Sequence, residues 1–516
     1  MKSTSSFARS NQFICVAMLA ASLGLLPLAC RTRSTVGSAA KPSAATLTES
    51  FPADIAKSVY VWDAADPRPA AERQRALAKF AYEGYQSSAW VPQSAFDGNW
   101  FLQTVVGDAD SIVRNRIGMV LWPENKVARA YGMAPNPDPT KPLSWTMNCV
   151  ACHVAEIDGV AYFGAGGKVI DEKMLGETVE QITNLGARRL LGQNPADNEL
   201  AARANDILKR HHHEKFDSLT RGRSTAFAAS HVEMHMRTHE GRMPASADVG
   251  RGDVKVPPLW HTVAKLPFRR WYSDGSFHGE FPLMASSMEL ALDRSFEGLS
   301  THVVPIIKQD FEQVIQFLRP PRYPHSVDAE LAARGKTLFY SKQMGCSQCH
   351  GTYDGRGNVE WTGLHVDVGT DPARLELVTR SFVAAFDQSP LAAEGKLIKS
   401  RGYAATPLTG VWANYPYLHN GSVPTLHHLL GPESERPKIF SVFGARDFDR
   451  ERVGQRLLAD RKTRKYDEAA LRRQHGNDRS WFNADRLGSD NRGHDFWSRI
   501  QTDENRKALI EYLKTL

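Results

Sequence analysis

Four of the six cysteines stand in two identical motifs. Residues 149–153 read Cys-Val-Ala-Cys-His and residues 346–350 read Cys-Ser-Gln-Cys-His, and both have the C-x-x-C-H form that is typical of covalent c-type haem attachment. Two thiols at this spacing can each bond a vinyl group of one porphyrin, and the adjoining histidine can then take an axial position on the iron. The sequence therefore predicts two covalently bound haem c groups, held by Cys149, Cys152, His153, Cys346, Cys349 and His350.

Structural zinc is the main alternative for these residues. A structural zinc ion gathers four ligands in one compact site, whereas the two cysteine pairs are far apart in the chain and each is followed by a histidine that zinc would not need. A pair of redox-active dithiols would also leave both histidines unexplained. Haem attachment accounts for all six residues.

The ligand on the other side of each iron decides whether a haem transfers electrons or meets a substrate. No methionine follows Met344, so the second haem domain cannot supply His/Met ligation. The histidines after the second motif are His365, His419, His427, His428, His475 and His494. We predict His494 as the sixth ligand, because it lies in a glycine-containing loop just before the terminal helix, where class I cytochromes bring this ligand.

The first haem has no such clear partner in the sequence. His231, His235 and His239 recur at i, i+4 and i+8 and share one helix face. They could bind a metal, but their charged neighbours favour a solvated polar face. The run at residues 211–213 is also expected at the surface. We therefore predict an open or exchangeable first haem.

Composition indicates a folded, soluble protein. The chain has 516 residues, enough for two or three domains, with 42% hydrophobic and 23% charged residues, which are ordinary globular values. The formal charge of +7 is a small difference between 64 basic and 57 acidic residues, and they are spread along the chain. These numbers argue against a nucleic-acid partner.

The first residues are typical of an export signal. An apolar stretch at residues 13–29 follows Lys2 and Arg9 with no acid before it. Ala29 precedes Cys30 as in a lipoprotein cleavage site, which makes a lipid anchor at Cys30 an open alternative to simple removal of residues 1–29. A retained anchor helix is the other alternative. The prediction is a periplasmic or extracellular protein, with the possibility of a membrane-anchored lipoprotein.

The remaining chain is predicted to hold two haem domains. Residues 30–50 form a flexible tether, residues 51–318 an N-terminal haem c domain and residues 325–516 a C-terminal cytochrome c domain, with a proline-rich connection at residues 319–324. We expect a mainly α fold with two class I cytochrome c-like domains and long loops, the first strongly elaborated. In the second domain, a helix bearing Gly335 and Phe339 is expected to cross a terminal helix bearing Tyr512 and Leu513 at close range.

These features resemble the bacterial di-haem cytochrome c peroxidases and their relatives, nearest the rubber-oxygenase-like branch. The resemblance is carried by Gly335-x-x-Leu338-Phe339 with its haem motif, by residues 407–426 with the His-Asn-Gly-Ser-Val-Pro form at residues 419–424, and by residues 488–496. The last segment resembles the loop that carries the distal histidine of the second haem in that branch.

The resemblance implies different functions for the two haems. The first would activate peroxide or dioxygen, and the second would transfer electrons from a redox partner protein or small electron donor. Trp260 could relay electrons between the haems, and Phe277 could cover the distal face of the first; both are equally consistent with a large apolar core. Gly-Pro-Glu at residues 431–433 replaces the Met or Tyr ligand of related peroxidases, which argues against ordinary cytochrome c peroxidase activity.

Three functions therefore compete. The leading one is a di-haem oxidoreductase that acts on peroxide or dioxygen. The second is an electron-transfer cytochrome with both haems six-coordinate, and the third is an interaction protein that keeps its haems as structural elements. Binding of cyanide or imidazole to the oxidised protein separates the first two, because only an open iron responds quickly.

Overall fold

The computed structural model describes residues 58–82, 91–92, 108–122, 130–136, 144–171, 218–224, 252–286, 299–355, 357–458 and 466–516, with a few positions between 173 and 206. The predicted signal segment, the tether with Cys30, and the histidines at 211–213, 231, 235 and 239 lie outside the described residues. The described residues fall within one compact unit that spans residues 43–516. The division into two haem domains stays a prediction.

The helices of the described residues are short, and many are single turns. They are Ala70–Tyr82, Ala109–Ser111, Ile112–Ile117, Cys149–Ala151, Leu259–His261, Thr262–Lys265, Leu266–Phe268, Phe281–Ser286, Leu299–Val303, Val304–Gln313, Ile315–Phe317, Ala329–Tyr340, Cys346–His350, Ala373–Glu376, Arg380–Phe386, Pro390–Ala393, Val411–Ala413, Leu426–Leu429, Glu433–Glu435, Val442–Arg446, Glu468–His475, Trp497–Ile500 and Asp503–Lys514.

The strands of the described residues form nine small antiparallel sheets. Two have three strands, in the orders Val91–Pro92, Ser144–Met147, Met133–Pro135 and Gly395–Leu397, Phe277–Gly279, Arg270–Trp271. The seven two-stranded pairs are Val61–Trp62 with Leu318–Arg319, Val154–Ile157 with Val160–Phe163, Arg223–Ser224 with Val254–Lys255, Thr352–Tyr353 with Val359–Glu360, His365–Val366 with Tyr403–Ala404, Ile439–Ser441 with Trp481–Asn483, and Phe448–Asp449 with Gly454–Gln455.

The predicted mainly α fold with two class I cytochrome c-like domains is therefore wrong. Strands of two to four residues are too short to show the alternation of apolar and polar residues that marks a strand in a sequence. Several also pair with partners distant in the chain, as Phe277–Gly279 does with Gly395–Leu397. Such pairs form because the tertiary fold brings the segments together, and local sequence gives little sign of them.

The crossing of two helices around the second haem motif is confirmed. Ala329–Tyr340 begins at Asp328, whose carboxylate accepts hydrogen bonds from two amides of the first turn, and it packs against Asp503–Lys514. A Cβ atom at Gly335 would lie 1.9 Å from the Ala508 carbonyl oxygen. Only glycine fits there, so this residue sets how closely the helices approach.

The apolar core of the described residues has two clusters, one at each cysteine motif. Cys149 and Cys152 pack against the first cluster, which contains Phe80 and Trp145. Cys346 packs against the second, which contains Trp412. Within the described part of the chain, no helix has the length and apolar character needed to cross a membrane.

Candidate functional site

The first cysteine motif is held by hydrogen bonds to its backbone and to the residue before it. Buried Asn148 caps the turn at Cys149–Ala151: its side-chain oxygen accepts from the Val150 amide (3.0 Å), and its amide group donates to the Ala81 carbonyl oxygen (2.9 Å). The carbonyl of Cys152 accepts from the Gly167 amide (2.7 Å) and that of His153 from Gly164 (2.8 Å). These contacts fix the backbone of the turn that carries both cysteines and His153.

The second motif forms a short helix, Cys346–His350, between two glycines in positive-φ conformations, Gly345 (φ 72°) and Gly351 (φ 83°). The His350 ring donates from Nδ1 to the Thr406 carbonyl oxygen (2.8 Å). Such a bond orients a ligating imidazole and reserves Nε2 for a metal. This contact leaves Nε2 of His350 available to a metal, while the assignment of His350 as an axial ligand stays a prediction.

The two motifs line the same cavity. Its volume is about 400 Å³, and Cys149, Cys152, His153, Cys346, Cys349, His350 and His494 all contribute to its wall. All four of these cysteines are partly exposed. The described residues contain no group of three or more His, Cys, Asp or Glu side chains that could hold a single metal ion.

His494 lies opposite His350 across part of this cavity. The centroids of the two imidazole rings are 6.2 Å apart, and the ring planes are inclined by 60°. Two metal–nitrogen bonds of about 2 Å each, added to the two ring radii, give about 6 Å. The pair therefore fits bis-histidine ligation of one iron, while the assignment of His494 as a ligand stays a prediction.

The three histidines are neutral at physiological pH. Burial lowers the pKa of His153 to about 4 and that of His494 to about 3, and it also lowers the pKa of His350. A neutral imidazole has a lone pair free for a metal, which a protonated one lacks. The donor set of two thiols and neutral imidazoles suits haem c.

Trp260 is buried in the core and does not contribute to the wall of this cavity. It stands in the turn Leu259–His261 and packs near Gly164 on the side of the first motif and Gly410 on the side of the second. Its neighbour His261 does line the cavity and is bonded through Nε2 to the Thr409 carbonyl oxygen (2.8 Å). The relay function of Trp260 stays a prediction.

Phe277 also lies behind the wall rather than in it. Its ring packs edge-on against Phe386 (6.0 Å) and Tyr272 (6.3 Å), and Tyr272 is the residue that lines the cavity. Phe281, from the helix Phe281–Ser286, also lines the cavity, as does Trp271. The predicted role of Phe277 as the cover of the distal face stays untested.

The sequence analysis missed several residues of the cavity wall. Phe281, Met284 and Ile307 line it and pack in the same apolar cluster as Cys149 and Cys152. On another part of the wall, the rings of Tyr403 and His419 stack at 3.7 Å. The apolar residues stand in no motif, so only their place in the fold reveals them. The sequence analysis had listed His419 among the histidines after the second motif and within the segment that carries the resemblance, but had assigned it no role.

Charged side chains in the wall are predominantly basic. Lys255, Lys265 and Arg374 line the cavity, and Asp310 is the carboxylate among the described lining residues. Burial lowers the pKa of Lys265 to about 8 and, together with nearby Arg223, that of Lys255 to about 7. A positive wall favours a ligand with negative charge, and haem contributes two carboxylates.

Comparisons with known proteins identify part of this site. A family model described as RoxA-like, cytochrome c-like matches residues 402–441, which include Tyr403, Thr406 and His419. The match supports the resemblance to the rubber-oxygenase-like branch. It indicates a haem-containing redox protein with a cytochrome c-like domain and implies covalently bound haem c.

Two relatives come from Sinorhizobium fredii, and both are known only as uncharacterized proteins. One, y4iJ, is 28% identical over 303 residues, which are 46% of this chain and 47% of the relative. The other, y4iM, is 33% identical over 235 residues, which are 38% of this chain and 51% of the relative. The matched parts thus span about half the length of each relative.

Proposed function

We propose that this chain is an exported di-haem c-type cytochrome that acts as an oxidoreductase. In this proposal the first haem, at Cys149, Cys152 and His153, activates peroxide or dioxygen, and the second, at Cys346, Cys349 and His350, transfers electrons. The observation that carries the proposal is the shared cavity, whose wall contains both complete motifs. In this proposal electrons pass between the two haems within this cavity.

The histidine pair supports different tasks for the two haems. His350 and His494 face each other at the separation that one iron needs, which favours a six-coordinate electron-transfer centre. Around Cys149 and Cys152, the wall is formed by the apolar side chains Phe281 and Ile307. An apolar wall would keep water away from the first haem.

Haem would supply the redox chemistry, and the protein would hold the haem and orient its ligands. Bound haem c would supply one-electron redox chemistry and, at an iron with a free coordination position, a binding site for peroxide or dioxygen. The Thr406 carbonyl orients His350, and the Asn148 cap orients the first motif. The basic side chains Lys255 and Lys265 of the wall would stabilise the negative charge of bound haem carboxylates.

Haem content is the first test of this proposal. A pyridine haemochrome assay on the full-length exported protein should give two haems per chain. The Cys149→Ala/Cys152→Ala and Cys346→Ala/Cys349→Ala double variants should each retain one. A count of one haem in the wild-type protein would contradict the proposal.

Spin states distinguish an oxidoreductase from the electron-transfer alternative. Electron paramagnetic resonance of the oxidised protein should show one low-spin and one high-spin haem, and cyanide should bind to the high-spin one. Two low-spin haems that resist cyanide would instead identify an electron-transfer cytochrome. The reductant in either case is proposed to be a redox partner protein or a small electron donor.

Export is proposed on the composition of residues 1–29. A chain that lacks these residues should remain in the cytoplasm and carry no haem, because cytochromes c mature outside the cytoplasm. Cys30→Ala distinguishes the two forms of export: it should release the protein from membranes if Cys30 carries a lipid. Haem attachment in the truncated chain would contradict the export proposal.

A further inference from the structure

One buried arginine holds the loop on which His494 stands. Arg436 is 3% exposed. Its Nη1 donates to the carbonyl oxygens of Asn491 (2.7 Å) and Gly493 (2.8 Å), and its Nη2 reaches that of His494 (3.4 Å). A single guanidinium thus binds three main-chain carbonyls within four residues of the loop. Its planar geometry makes these bonds directional.

Glu433 connects the same loop to Arg436 from a second direction. Its Oε1 accepts a hydrogen bond from the Gly493 amide (2.6 Å) and lies 3.8 Å from Nη1 of Arg436. Gly493 is therefore bound at its amide by a carboxylate and at its carbonyl by a guanidinium. Opposite charges on the two sides of one residue fix its orientation.

The loop needs such support because its backbone is strained. His494 has φ of +51° and Gly493 has φ of +83°, and a non-glycine residue in this region persists only where its surroundings determine it. The His494 amide also donates to the Val368 carbonyl oxygen (2.8 Å). A Cβ at Gly493 would lie 2.3 Å from the Thr370 amide nitrogen, so the loop is packed tightly on its other side as well.

We propose that Arg436 is the positioning residue of the second iron's sixth ligand. Arg436 fixes the carbonyl groups of Asn491, Gly493 and His494. In this way it holds the His494 imidazole opposite His350 and keeps this iron six-coordinate. The inference rests on the proposed function, because it assumes that His494 binds iron. Arg436 itself touches neither the haem motif nor the reacting atoms.

The test compares the wild-type protein with three variants, all haem-loaded and full-length, by electron paramagnetic resonance and thermal unfolding. Arg436→Met removes the three loop contacts, together with the longer ones to the His428 and Leu429 carbonyl oxygens, and keeps an apolar stem. His494→Ala gives the spectrum of the second haem without its sixth ligand. Arg486→Met is the matched control, because Arg486 also binds several main-chain carbonyls, those of Leu219, Gly476, Asp478 and Trp481.

We expect His494→Ala to lose the low-spin signal of the second haem and Arg436→Met to lose most of it. Added imidazole should restore a low-spin signal in both variants, because it can occupy the freed coordination position. Arg486→Met should keep the low-spin signal, even if its melting temperature falls as far as that of Arg436→Met. A merely structural role for Arg436 predicts equal behaviour of the two arginine variants.

The outcomes separate the two proposals. Loss of the signal in His494→Ala together with its retention in Arg436→Met would overturn the inference and leave the ligand assignment intact. Retention in His494→Ala would overturn the ligand assignment itself. If Arg436→Met does not fold, Glu433→Ala decides: it removes the acceptor for the Gly493 amide and should raise the high-spin fraction, and an unchanged spectrum would overturn the inference.

Discussion

Gly132 allows the chain to pass directly against the first haem motif, and replacing it should damage the motif selectively. A Cβ atom at this position would lie 2.0 Å from the Ala151 nitrogen and 2.4 Å from the Ala151 Cα. Ala151 stands between the two cysteines of the motif. Gly132→Ala therefore pushes on the turn that presents both thiols.

Gly159 provides a matched control. Both glycines have left-handed backbones, with φ of +80° at Gly132 and +77° at Gly159, but a Cβ at Gly159 would meet no atom within 4 Å. The left-handed conformation costs a non-glycine residue about 1–2 kcal/mol, and both variants have this cost. Overpacking adds about 1–3 kcal/mol at Gly132 alone. The expected losses are about 2–5 kcal/mol for Gly132→Ala and about 1–2 kcal/mol for Gly159→Ala.

The assay is urea unfolding of each haem-loaded variant, followed by far-ultraviolet circular dichroism. With a common slope, the difference in midpoint reports the difference in the free energy of unfolding. Haem content gives a second measurement, because a displaced turn should reduce attachment at the first motif only. Equal losses of stability in the two variants would refute the packing argument.

Three further predictions concern other contacts. Gly335→Ala should lower stability by about 1–3 kcal/mol in thermal unfolding, because the added methyl meets the Ala508 carbonyl; a stabilised variant would contradict the close crossing. Asn148→Ala should cost about 1–3 kcal/mol in urea unfolding, since buried main-chain groups lose their partner; an unchanged midpoint would show that the cap is dispensable. Burial lowers the pKa of Lys255 from 10.5 to about 7. Between pH 7 and pH 10.5 the unfolded chain therefore binds more protons than the folded chain, and the free energy of unfolding rises with pH. Lys255→Met should flatten this rise in unfolding measured across that range, and an undiminished rise would assign it to other groups.

The sequence alone predicted the features that depend on local spacing. The C-x-x-C-H motifs are complete within five residues each, so the haem chemistry follows from covalent geometry without knowledge of the fold. The crossing helices were also predictable, because Gly335 and Phe339 repeat with the helical period. His494 was selected because no methionine follows Met344 and because it stands in a glycine-containing loop. In the structure, the centroids of the His494 and His350 rings are 6.2 Å apart.

The tertiary structure decided which residues surround the haem motifs. Its antiparallel sheets join short segments from distant parts of the chain, which is why the expected mainly α fold was wrong. Phe281 reaches the cavity while Phe277, four residues earlier, packs behind it. Arg436 acts on a loop that is 58 residues away in the chain. Cavity walls and buried hydrogen bonds arise from contacts between segments that are remote in the chain. The periodicity of apolar residues within one segment does not reveal which remote segment it will contact.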